Sequence, residues 1–118
     1  MDGRIFHIKE KLSQNLGHSW CVEEMAESVG LSIPHFSKLF KQEAKSPPHT
    51  YLCELRLEKA KELVVTTFLH IQEVCTQVGI QNESHFTRDF KKKFGLTPTE
   101  YRKLHWEKQQ AETESGQE

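Results

Sequence analysis

The chain has 118 residues, 36% hydrophobic and 28% charged, with six glycines and four prolines. That is the composition of one globular domain, long enough to bury roughly 65% of its unfolded surface and to build one real core. It excludes a collagen-like or wholly disordered chain, and the lack of a long apolar run excludes a membrane-spanning helix.

Met1-Asp2-Gly3-Arg4 leads straight into amphipathic sequence, without the apolar stretch and small-residue cleavage site of a signal peptide. Cys21, Cys53 and Cys75 are odd in number and far apart, which predicts free thiols in a reducing cytoplasm. The net charge of −1 is unevenly spread. From Trp106 onward the chain carries −3, through Glu107, Glu112, Glu114 and Glu118 against Lys108, which leaves +2 on residues 1–105. His85 to His105 holds Arg88, Lys91, Lys92, Lys93, Arg102 and Lys103 against Asp89 and Glu100. Such a stretch is either an electrostatic footprint for nucleic acid or a solvated helix face, and charge alone leaves both open.

Taken in order, the chain is helical throughout. Ile5, Ile8 and Leu12 mark a first helix starting near Asp2. Val22, Met25, Ala26 and Val29 mark a second, stopped by Gly30. Ser32 caps a third, which tolerates Pro34 in its first turn and has Phe36, Leu39 and Phe40 as its apolar face. Leu52, Leu55, Ala60, Leu63 and Val64 mark a long fourth helix, about 48–66, roughly 27 Å in length. Ile71, Val74, Cys75 and Val78 give a fifth, ended by Gly79. Asn82 caps a sixth, buried through Phe86, Phe90 and Phe94 and closed by Gly95. Thr97 caps a seventh, with Pro98 in first position, running to about Lys108. No segment alternates with period two for long enough to argue a strand. Residues 109–118 are polar and acidic and are expected to be a disordered tail.

An internal repeat is the most informative feature. At an offset of 49, Val22, Glu24, Met25, Val29, Gly30 and Leu31 meet Ile71, Glu73, Val74, Val78, Gly79 and Ile80. One added residue, Gln81, shifts the offset to 50, and His35, Phe36, Phe40, Lys41, Pro48 and Tyr51 then meet His85, Phe86, Phe90, Lys91, Pro98 and Tyr101. Each copy has helix-turn-helix spacing. A small residue (Ala26, Cys75) sits where two helices cross, a glycine (Gly30, Gly79) supplies the turn, and a phenylalanine (Phe36, Phe86) plugs the angle. A single copy also fits an ordinary αα-corner; two copies, each with a basic second helix, favour the helix-turn-helix.

In such a unit the second helix enters the major groove. With the phenylalanines buried, the other face presents Ile33, Pro34, Ser37, Lys38 and Lys41 in the first unit, and Glu83, Ser84, Thr87, Arg88 and Lys91 in the second. Arg88 offers a planar bidentate fork for guanine, against the plain alternative of a surface arginine, and Lys38 is its less specific counterpart. Lys41, Lys91 and Lys92 suit phosphate. His35 and His85, on the flank, are expected to pack against neighbours. Glu83 is a specificity element if it accepts from cytosine N4.

The seven histidines, His7, His18, His35, His49, His70, His85 and His105, are scattered, with no paired C-x-x-C or H-E-x-x-H and no nucleophile or phosphate-loop motif. The chain is therefore expected to be no enzyme and to hold neither metal nor cofactor. The alternative function is a helical protein-interaction module without DNA binding.

Val22-Glu23-Glu24-Met25-Ala26, Val29-Gly30-Leu31-Ser32, Phe36-Ser37-Lys38-Leu39-Phe40-Lys41, Leu55 to Leu63, Val78-Gly79-Ile80, Phe86-Thr87-Arg88-Asp89-Phe90-Lys91 and Phe94 to Arg102 together resemble the DNA-binding domain of AraC-type (AraC/XylS family) bacterial transcription regulators. The likeness covers about Ile5 to Leu104. It implies an all-α fold of seven helices in residues 1–108, with helix-turn-helix subdomains at about 22–44 and 71–94 joined by the linker helix. By motif position it carries base contacts to Pro34, Ser37 and Lys38, and to Ser84, Thr87 and Arg88. It implies double-stranded DNA and RNA polymerase as partners, and an effector or receiver domain missing from this chain, which is expected to be either a stand-alone regulator or, the favoured alternative, an excised C-terminal fragment. Successive major-groove segments on one face of DNA repeat about every 34 Å, so a linker shorter than that implies tilted helices or bent DNA. The sequence departs from the family pattern at Lys45, where glycine is frequent, at Pro47-Pro48, and at His70, where a small cap is usual. Pro34, lacking a donor, implies weaker base reading by the first unit.

Overall fold

The computed structural model describes residues 2–116, with 109–116 described by backbone alone. It consists of α1 (Gly3–Gln14), α2 (Val22–Ser28), α3 (Ile33–Ala44), α4 (Pro48–Thr66), α5 (Ile71–Val78), α6 (Glu83–Phe94) and α7 (Pro98–Gly116), and no strand occurs among the described residues. No helix is long and apolar enough to cross a membrane among those residues. The helix ends follow from local chemistry. Asp2 accepts from the Arg4 backbone N–H, Ser32 from that of His35 and Asn82 from that of His85, each satisfying an otherwise orphaned donor. Thr97 and Glu100 form a reciprocal capping box. The Thr97 backbone N–H and hydroxyl that donate to Glu100 hold its carboxyl below the ordinary range. His70 occupies the N-cap position of α5 without a side-chain cap bond.

The described chain forms two compact units, Met1–Arg56 and Leu57–Glu118. In the first, Ile5, Ile8 and Leu12 of α1 pack with Met25, Ala26, Phe36, Phe40 and Leu52. In the second, Leu57, Ala60 and Val64 of α4 pack with Val74, Cys75, Val78, Phe86 and Phe90. Burial is what makes the short helices possible. α2 has 7 residues and α5 has 8, whereas isolated helices under about 12–15 residues are marginal in water. Phe94, expected inside the core, is only half-buried: it closes α6 against Phe90 and Tyr101, with the ammonium groups of Lys61 and Lys93 lying 5.0 and 5.8 Å from its ring centre.

Long side chains tie each unit's loops and helix ends. In the first, Arg56 donates to the Leu16 and His18 carbonyls at 3.1 and 2.8 Å, and the Trp20 indole donates to Asn15 at 2.9 Å. In the second, the final carbonyls of α4 lack helical partners. The Leu63 carbonyl accepts from both the backbone N–H and the hydroxyl of Thr67, that of Val64 from Arg102 at 2.8 Å, and that of Val65 from the Trp106 indole at 3.2 Å. One Arg102 nitrogen, Nη2, is buried without a hydrogen-bond partner. The Trp106 ring centre, 5.3 Å from the guanidinium carbon, gives the cation a compensating face.

α7 extends past Lys108, its expected end, into the stretch expected to be a disordered tail. Gln109, Gln110, Ala111, Glu112 and Glu114 are tolerant of helix, and neither glycine nor proline intervenes before Gly116. The rest of the expected tail, residues 117–118, lies outside the described residues.

Two predictions concern this frame. Lys45 ends α3 at φ 66°, a left-handed conformation that Gly95 adopts at the end of α6 with φ 86°. An L side chain there costs about 1–2 kcal/mol. Lys45→Gly should therefore raise stability by about 1 kcal/mol after the entropy of glycine is charged against it, seen as a higher urea midpoint at unchanged slope. A lower midpoint would contradict the assignment of strain to Lys45. Cys75 is 3% exposed, and burial, with the Glu83 carboxylate adding, pushes its thiol up to about 11, while Cys21 and Cys53 are exposed. An aromatic disulfide reagent at mildly alkaline pH should titrate two thiols quickly and the third only on unfolding.

Candidate nucleic-acid interface

The first helix-turn-helix is α2, a tight turn and α3. Gly30 bends the chain at φ 71°, and a Cβ there would meet nothing within 4 Å, so glycine is needed for the backbone angle alone. The Leu31 N–H donates to the Ala26 carbonyl at 3.0 Å and closes the turn. Phe36 and Phe40, four residues apart on one face of α3, are fully buried with ring centres 5.7 Å apart. Tyr51 at the start of α4 meets Phe40 edge-on at 5.3 Å.

The second unit repeats these contacts at the matching positions. Gly79 turns at φ 82°, and the Ile80 N–H donates to the Cys75 carbonyl at 2.9 Å. Phe86 and Phe90 are buried with ring centres 5.6 Å apart, and Tyr101 meets Phe90 edge-on at 5.7 Å. Gln81 is accommodated between this turn and the cap at Asn82, outside both helices.

Burying those pairs sets the rotation of α3 and α6 within their units. Pro34, Lys38 and Lys41 are exposed and Ser37 is half-exposed on α3. Ser84, Arg88, Lys91 and Lys92 are exposed and Thr87 is half-exposed on α6. All nine residues that the sequence singles out are therefore accessible, and each group of them shares one helix. The Arg88 side chain is 70% exposed, with only its neighbour Asp89 at 3.7 Å. Lys38, Lys41, Lys91 and Lys92 form no ion pair among the described residues, whereas Lys93 lies 3.8 Å from Glu58. The expectation that His35 and His85 pack against neighbours is not met. Both are exposed, because the third position of each helix points away from the phenylalanine stripe; their backbone N–H groups serve the caps.

Sequence reasoning misses the ties of Arg56, Arg102 and Trp106 to carbonyls far away in the chain, and that of Trp20 to the nearby Asn15 carbonyl. It also does not mark Ile33 as unusual, although 42% of it is exposed at the first position of α3. Among the described residues no group of three His, Cys, Asp or Glu side chains could hold a metal ion.

Comparison with known proteins agrees with this geometry. A family model described as a helix-turn-helix domain matches residues 25–104. The transcriptional regulator MtrA of Neisseria gonorrhoeae is 29% identical over 86% of this chain and 34% of its own length. The transcriptional activator RclR of Escherichia coli is 31% identical over 84% of this chain and 35% of its own. The chain thus spans about a third of the length of the curated relatives it matches. Among solved structures, the C-terminal domain of the response regulator AraT from Geobacillus stearothermophilus superposes with a TM-score of 0.82 at 28% identity, covering 87% of this chain and 86% of that one. The DNA-binding domain of AdpA, solved with a target DNA, shares the fold with a TM-score of 0.84 at 21% identity over 88% of this chain and 94% of that one. With the repeated turn, the paired phenylalanines and the family match in hand, the chain belongs to the AraC-type family of helix-turn-helix DNA-binding domains of transcription regulators.

Proposed function

We propose that this chain reads double-stranded DNA by sequence through α3 and α6, each helix taking its own major-groove segment, and so regulates transcription. The observation that carries the reading is the shared rotational phase of the two helices. In both, the buried phenylalanine pair leaves a polar side chain and a long cation, Ser37 with Lys38 and Thr87 with Arg88, on the accessible side. Arg88 donates both arms of its fork to guanine O6 and N7, and Lys38 donates singly. Ser37, Ser84 and Thr87 hydrogen-bond base edges or phosphates, and Pro34 makes an apolar contact. Lys41, Lys91 and Lys92 neutralise phosphates and supply affinity without sequence preference. The two groove segments recur on one face at about 34 Å.

The same reading places the protein in the cytoplasm, with RNA polymerase as a further partner and an effector or receiver domain as the source of the signal. What supports these is the resemblance to regulators about three times as long. It assigns the chain no enzymatic step and no cofactor.

Equilibrium binding to duplexes selected from a random library tests the assignment. Affinity should fall steeply with salt, as several released counterions require. Arg88→Ala should lose about 1–3 kcal/mol on the preferred duplex and relax preference at one base pair, while Lys92→Ala weakens all duplexes alike and lowers the salt slope by about 1. A parent-like sequence preference in Arg88→Ala would remove Arg88 from the readers.

A further inference from the structure

Four large apolar side chains stand exposed among the described residues: Phe6, Ile33, Phe68 and Leu104. Only Ile33 lies on one of the two groove-facing helices. It opens α3, directly after the Ser32 cap and beside Pro34, so the first two residues of that helix show adjacent apolar surface, with the exposed imidazole of His35 next along the turn. One turn further on come Ser37 and Lys38, with Lys41 beyond them. The equivalent position in the second unit is Glu83, also exposed, at the start of α6. The two units thus place opposite chemistries at one structural position.

Resting on the reading above, we propose that Ile33 is a specificity residue that recognises the 5-methyl group of thymine in the major groove. The first turn of a groove-facing helix is the part that reaches base edges. Of the features that base pairs display there, the thymine methyl is the one that apolar surface recognises; the others are hydrogen-bond donors and acceptors. Ile33 against a cytosine would cover its N4 amino group without offering an acceptor, which costs desolvation. Ile33 therefore favours thymine and disfavours cytosine at one pair. Lys41, cationic and free of ion pairs among the described residues, holds the same helix to the phosphates that flank the groove.

Deoxyuridine tests this, because it removes the methyl and keeps every hydrogen bond. Duplexes are first selected from a random library with the full chain, and each thymine of the selected site is then replaced in turn by deoxyuridine. One or two positions should lose roughly threefold to fivefold in affinity, the worth of one methyl. Ile33→Ala should abolish that loss, Ile33→Val should retain part of it, and Arg88→Ala should leave it intact. Circular dichroism and melting of the Ile33 variants should match the parent, since the side chain contributes little to the core. A deoxyuridine penalty that survives in Ile33→Ala, or a selected site in which no thymine methyl matters, overturns the assignment while leaving Arg88 and the DNA reading in place. Failure to select any duplex overturns the DNA reading itself, and this assignment with it.

Discussion

The packing of two phenylalanines one helical turn apart governs everything else in each unit. Phe36 with Phe40, and Phe86 with Phe90, are fully buried. Burying a phenylalanine side chain is worth about 1.5–3 kcal/mol, and truncating one in a core costs about 3–5 kcal/mol. Exposed ion pairs such as Lys59 with Glu62 or Lys61 with Glu58 contribute about 0–1 kcal/mol. The rotation of α3 and α6 is therefore decided by apolar packing, and the charges take the positions left over. That ordering explains why free cations gather on the accessible side: nothing inside the fold needs them, so they are available to a partner.

The duplicated units separate structural from chemical requirements. Turn glycines, phenylalanine pairs, edge-on tyrosines and cap hydrogen bonds recur at matching positions with closely similar geometry. The caps themselves differ, Ser32 against Asn82, because either side chain can accept from the third N–H of a helix. Exposed positions diverge far more: Ile33 against Glu83, Pro34 against Ser84, Lys38 against Arg88. On the proposed reading, conserved shape with divergent surface suits two readers of different base pairs on one polymer. An interaction module indifferent to DNA would have no reason to keep its cations in the same helical phase twice.

How much of this could be read from the sequence depends on the range of the interaction responsible. Helix ends rest on local rules, so Pro48 to Thr66 for α4, Asn82 as a cap and Gly79 and Gly95 as stops emerge directly from the residues. Lys45 is visible as a departure from a glycine, and the structure supplies its meaning, a left-handed residue carrying a Cβ. The ties made by Arg56 and Arg102 join groups separated by 38 to 40 residues, and no periodicity encodes them. The exposure of His35 and His85 escapes for a different reason: the side chain is legible as flanking, but whether a neighbour covers it depends on tertiary packing. The candidate readers were legible because their phase is locked to aromatic residues that are themselves unmistakable in the sequence.

A net charge of −1 gives the chain an unusual balance for a partner of DNA. Attraction to phosphate is the sequence-independent part of binding, and it scales with the number of cations that replace counterions. Some cations are engaged within the fold: Lys93 lies near Glu58, Lys59 and Lys61 are paired along α4, and Arg56 and Arg102 are committed to backbone carbonyls. On α3 and α6, Lys38, Lys41, Lys91 and Lys92 form no ion pair among the described residues, and Arg88 has the exposed Asp89 beside it. When a correct site competes with an excess of wrong ones, the ratio of specific to non-specific affinity decides occupancy. On the proposed reading, base-edge contacts supply that ratio, while phosphate contacts raise both affinities together.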